Sequence, residues 1–184
     1  MDCDLPCPLE HVQLVPTSEI QMLGVPLGSD GFVSDYVEGK LLDNSVKVMS
    51  KLAEFEDSQA AMYLLRLSYG IVRANHFMRT TPLPQWRDVA TKFDEYVRAK
   101  PCARFLAPLC LMPYDQVCIS TKVGGLGIRR VVDHAIGALR ASWHESSRAC
   151  GESWTVPAPL CVDDEYIPQS EFSAGVDRKT LERL

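Results

Sequence analysis

A chain of 184 residues, 46% hydrophobic and 23% charged, has the size of one ordinary globular domain with some tail, and it can bury a core. No stretch approaches the roughly 20 uninterrupted apolar residues that cross a bilayer, and the acidic start Met1-Asp2-Cys3-Asp4 is unlike the basic start of a signal peptide. The chain therefore reads as soluble and intracellular, nuclear or cytoplasmic, with no membrane partner. The net charge of -5 conceals an asymmetry: residues 1–65 carry three lysines against eleven acids, residues 66–140 twelve basic side chains against five acids, and residues 141–184 four against eight. A middle of +7 between acidic ends has the sign that follows a phosphate backbone, although a solvated surface with incidental bias reads equally well. Seven cysteines, an odd number scattered along the chain, read as free thiols rather than a disulfide framework.

In chain order, residues 1–16 hold Pro6, Pro8 and Pro16 among short apolar pieces and predict an extended segment. The run Gln21-Met22-Leu23-Gly24-Val25-Pro26-Leu27-Gly28 has the pattern of a brief strand and turn, so any sheet is small. Helical period begins near Asp30, a capping residue, with Val33, Val37, Leu41, Val48, Leu52 and Phe55 on one stripe. A restart at Asp57-Ser58 leads into a strongly apolar second helix carrying Met62, Leu64, Leu65, Leu67, Ile71 and Val72 and ending near His76 or Met78, closed by Thr80-Thr81-Pro82. A third helix runs from about Pro84 and ends before Pro101, with Trp86, Val89, Phe93 and Val97 one turn apart. Pro101, Pro108 and Pro113 allow only short helical pieces afterwards, such as Arg104–Ala107 and Tyr114–Ile119. Gly124, Gly125 and Gly127 then make a turn before a last helix, about Arg130 to Ser147, with Val131, Ala135, Leu139 and Trp143 inward. Residues 150–184 read as a loose acidic tail, dispensable for folding, with at most a final turn at Arg178–Leu184. The expected fold is mainly α, a helical bundle over residues 17–149 with a small β-hairpin near its front.

The order of these pieces resembles the region downstream of the palm in non-LTR retrotransposon reverse transcriptases. The likeness covers about residues 20–147. It rests on Leu23-Gly24-Val25-Pro26-Leu27-Gly28, two long helices, the stop Met78-Arg79-Thr80-Thr81-Pro82, another helix, and Gly124-Gly125-Leu126-Gly127-Ile128-Arg129 before an Ala-rich helix with His134-Ala135. The resemblance implies that Leu23 and Gly24 belong to a primer-grip-like hairpin at a palm–thumb junction and that the helices form a thumb and connecting region. Polymerisation in that family needs carboxylates that hold two magnesium ions. Those carboxylates would lie upstream of the Leu-Gly strand, where this sequence offers only Asp2, Asp4, Glu10 and Glu19. The expectation is therefore a truncated, non-enzymatic relative with no cofactor.

Other constellations are weaker. Asp163-Asp164 imitates the family's Asp-Asp hairpin but has Cys161 where an aromatic belongs and reads as an acidic tail. Cys3, Cys7 and His11 share a four-residue spacing that would suit zinc on a helix, which Pro6 and Pro8 remove. The Gly124-Gly125-Leu126-Gly127 turn lacks the Lys-Ser/Thr of a phosphate-cradling loop and reads as a tight turn. His76, His134 and His144 lack a nucleophile partner and read as packing residues, and Trp86, Phe93 and Trp143 as core rather than base-stacking platforms.

Two functions follow as expectations. One is weak, sequence-independent binding of RNA or an RNA–DNA hybrid through Arg79, Lys122, Arg129 and Arg130. The other is a helical protein-interaction module whose apolar stripe, lacking a palm, docks on another chain.

Overall fold

The computed structural model describes residues 18–103, 113–150 and 167–184. The segments 1–17, 104–112 and 151–166 lie outside it, and with them the Cys3/Cys7/His11 spacing, the Arg104–Ala107 helical piece and Asp163-Asp164. The fold is mainly α with one two-stranded antiparallel hairpin near the front, as the periodicity predicts.

Strands β1 (Ile20–Met22) and β2 (Val25–Leu27) pair Met22 with Val25 around a two-residue loop, Leu23-Gly24. Both loop residues have positive φ, 50° and 80°, which matches the twist that a tight hairpin needs. Helix α1 (Asp30–Val37) follows, but its cap is Ser29 rather than Asp30: the Ser29 hydroxyl accepts the Phe32 N–H, and Asp30 stands in the first turn, where its charge suits the helix dipole. The helix continues through a π turn at Glu38–Leu42 into α2 (Asp43–Ala53). That wide turn explains why the buried stripe departs from the expected one. Past Leu41 the inward positions are Ser45, Met49 and Leu52, whereas Val48 is only half-buried and Phe55 is exposed.

Asp57 caps α3 (Ser58–Leu64) by accepting the Gln59 and Ala60 N–H groups, and a π turn over Leu65–Tyr69 precedes α4 (Asn75–Thr80). The Thr-Thr-Pro stop is built into the core, because the Thr81 carbonyl accepts the indole N–H of fully buried Trp86 at 3.2 Å. Trp86 also packs against Phe77, which meets Tyr36 edge-on. Helix α5 (Arg87–Val97) buries Val89, Phe93 and Val97 as its spacing predicts, and Ala90 besides, but it runs on through a π turn at Arg98–Cys102 that contains Pro101 instead of ending before that proline. After α6 (Tyr114–Cys118) and the glycine turn comes the long central helix α7 (Val131–Cys150), which packs on α4 and α5.

The largest difference from the sequence reading is at the end. Gln169–Leu181 form a helix, α8, laid along α7 and not a loose tail. Arg129 forms a two-pronged ion pair with Asp177, its second hydrogen bond at 3.0 Å. Phe172 fits a notch at Gly137, where an added Cβ would lie 2.3 Å from the ring. The tail looked loose because its inward residues include the polar Asp177 and Thr180, which carry no apolar period.

Candidate functional site

The hairpin buries Pro26 and half-buries Val25 but leaves its other apolar residues in water. Leu23 is 92% exposed and Met22 53% exposed, and Ile20 and Leu27 also face outward. Beneath the hairpin lies a cavity of about 300 Å³ whose wall includes Met22, Leu23, Val25 and Leu27 on one side and Arg79 and Trp143 on the other. The walls are fixed from two directions: Gly24 sits over His76 of α4, and Arg79 of α4 donates to Glu145 of α7 at 2.7 Å at the cavity edge. Leu23 is the one non-glycine position with positive φ among the described residues, a conformation that costs a branched side chain on the order of 1–3 kcal/mol. Leu23 thus stands strained and almost bare at the lip of the cavity.

The four basic residues singled out for phosphate contact do not form one patch. Arg129 and Arg130 precede α7 and Lys122 lies on the short turn Thr121–Val123, whereas Arg79 faces Glu145, about 20 Å along α7 from its first turn. Three of the four are compensated in place. Arg79 pairs with Glu145, Arg129 with Asp177, and Arg130 with both Asp133 at 2.6 Å and Asp115 at 2.8 Å. A phosphate would have to displace those acids. Lys122 is exposed and has no ion pair among the described residues, and the exposed Arg66 packs its guanidinium beside Gly127 on the same turn.

The glycine turn is a structural device. The amides of Gly125, Leu126 and Gly127 donate to the carbonyls of Ser120, Val117 and Ile119, so they are spent within the turn and cannot cradle an anion. Gly125 is irreplaceable there, since a Cβ would sit 2.2 Å from the Ile119 oxygen. The first amides of α7 are also occupied: Val131 and Val132 donate to the two oxygens of Asp94, at 2.9 and 3.1 Å, so α5 caps α7 across the core. Burial outweighs these bonds and pushes the Asp94 carboxyl up to about 6.

Among the described residues the titratable side chains in the core are held in unreactive states. His134 is buried, 3.3 Å from the Ser173 hydroxyl, and burial together with the Arg129 charge pushes its imidazole down to about 4. Burial likewise pushes the Cys102 and Cys118 thiols up, to about 12 and 11, which makes them poor nucleophiles. Among the described residues no group of three or more metal-binding side chains comes together. Leu23 and Gly24 are legible in the sequence as hairpin residues, whereas Met22, Leu27 and Trp143 join the same surface only in the fold. Alternation in the hairpin hints at the first two, and nothing local could place Trp143 beside them. No protein-family model, curated protein or solved structure matches this chain.

Proposed function

We propose that this chain is a non-catalytic helical docking module, organised like the thumb and connecting region of a non-LTR retrotransposon reverse transcriptase, whose hairpin face seats on a palm-type polymerase domain. The observation that supports this reading is Leu23, held bare and strained at the lip of an apolar cavity. Docking would cover Leu23 and Met22 and recover about 25 cal/mol for each Å² of apolar surface removed from water. The resemblance supplies the class of partner, because the Leu-Gly strand in that family meets the palm. Weak RNA or RNA–DNA binding is the second reading, supported by Arg66 and Lys122 beside the glycine turn. With only those two cations uncompensated there, its strength is expected in the non-specific range, roughly micromolar to 100 micromolar.

The test uses a purified palm-and-fingers fragment of a non-LTR reverse transcriptase that lacks its own thumb. The parent chain should bind it in calorimetry. Leu23→Asp should weaken binding at least about tenfold without changing the circular dichroism spectrum, since an apolar anchor at an interface centre commonly contributes 2 kcal/mol or more and Asp tolerates the left-handed turn. Absence of parent binding, or equal binding by the variant, defeats the docking reading.

A further inference from the structure

A second cavity, of about 290 Å³, lies between α5, α6, the first turn of α7 and the end of α8, and its walls include Arg98, Arg183, Arg130, Tyr114 and Asp94. It shares no lining residue with the hairpin cavity, whose α7 residues lie more than two turns further along that helix. The lining sets three arginines beside three acids, Asp94, Glu95 and Asp133, so what matters is which of them remain uncommitted. The acids nearby are largely spoken for. Both Asp94 oxygens accept helix amides, and Asp133 and Asp115 are held by Arg130.

The other two arginines keep donors to spare. The Arg98 guanidinium lies over the Tyr114 ring, 5.2 Å from its centroid, which occupies its face and leaves its N–H edge open. Arg183 donates through Nε to the Lys179 carbonyl and through Nη2 to the Thr180 hydroxyl, so Nη1 is uncommitted. Neither has an ion pair among the described residues. Within the lining, Asp94 is satisfied by helix amides, and Glu95 is the one acid with neither an ion pair nor a side-chain hydrogen bond among the described residues; it is exposed, as are Arg98 and Arg183. Two open guanidinium groups against the one open carboxylate of Glu95 leave a net positive charge, carried by forks whose donor geometry matches the oxygens of a phosphate group.

We propose that this cavity is a binding site for a small phosphate monoester, with Arg98 and Arg183 converging on the phosphate and the cavity space between α5 and α6 taking the remainder of the molecule. The site is independent of the docking reading, so each can fail without the other.

Calorimetric titration of the full chain with inorganic phosphate, AMP, adenosine and acetate, at constant ionic strength set with sodium chloride, tests it. Phosphate and AMP should give saturable binding, with adenosine and acetate at least about tenfold weaker. Arg98→Gln and Arg183→Gln should each reduce AMP affinity about tenfold or more, the effect of losing one charged hydrogen bond. The Arg183 substitution leaves the Arg98–Tyr114 stacking intact, and unchanged melting of that variant separates lost binding from lost folding. Overturning results are no binding by phosphate or AMP, acetate binding as well as phosphate, or a folded Arg183→Gln variant that binds AMP like the parent.

Discussion

Leu23 sits at φ 50° with its side chain in water, so it gains nothing from burial and bears the strain of a left-handed backbone. Leu23→Gly should therefore raise stability by about 1 kcal/mol in urea unfolding while weakening docking, a separation of stability from binding that a purely structural leucine would not show. Ser45 is the converse case. It is buried in α2 with no hydrogen-bond partner for its hydroxyl, and an unsatisfied buried group costs about 1–3 kcal/mol. Ser45→Ala should stabilise the chain by about 1 kcal/mol, a rise of roughly 2–4 °C in Tm on thermal melting. Asp94 and His134 act oppositely on acidification. With its folded pKa raised from 3.8 to about 6, Asp94 contributes stability that is full below 3.8 and lost as pH rises to 6. With its folded pKa lowered from 6.5 to about 4, His134 contributes stability that is full above 6.5 and lost as pH falls to 4. Each effect is about 3 kcal/mol, so they offset each other between pH 4 and 6. Stability of the parent should be nearly flat across that window by these two groups, that of Asp94→Asn should rise with pH, and that of His134→Leu should fall. Urea denaturation at pH 4, 5 and 6 reads all three slopes.

Among the elements, α8 carries the sharpest expectation. It adds the Phe172 contact at Gly137, buries Thr180 and supplies the only acid that faces Arg129 in an ion pair among the described residues. A chain ending at Gly151 should lose more than about 2 kcal/mol, because it strips those contacts and leaves a half-buried arginine uncompensated. Gly137→Val should loosen the same joint, since even a Cβ there would need the Phe172 ring to move. Equal melting of the shortened and full chains would show that α8 does not hold the core. The elements that were legible in the sequence are those with a strong apolar period: α1, α5 and α7 place Val33 and Val37, Val89 and Phe93, and Val131 and Ala135 where spacing puts them. The π turns were not legible, because a widened turn has no residue signature and shows only in the shift of the buried stripe to Met49. Nor was α8, whose attachment rests on an ion pair 48 residues apart in sequence.

At the scale of the whole molecule, the charge asymmetry visible in the sequence does not become a binding face where Arg79, Arg129 and Arg130 stand, since folding brings Glu145, Asp177, Asp115 and Asp133 onto them. Composition counts charges and cannot see their partners, which come from 66, 48, 15 and 3 residues away. The hairpin of Ile20, Met22, Leu23 and Leu27 over its cavity stays uncovered as an apolar face. The measurement that separates an apolar docking module from a phosphate-tracking one is the dependence of binding on salt. Affinity for the palm-and-fingers fragment should be determined between 50 and 500 mM sodium chloride. An apolar interface should keep its affinity for the fragment within about threefold over that range, whereas RNA held through several phosphate-binding cations, titrated in parallel, falls by about 10³ or more. A near-constant affinity that Leu23→Asp removes is the expected result. A steep loss with salt, or binding unchanged by Leu23→Asp, would contradict docking through the hairpin.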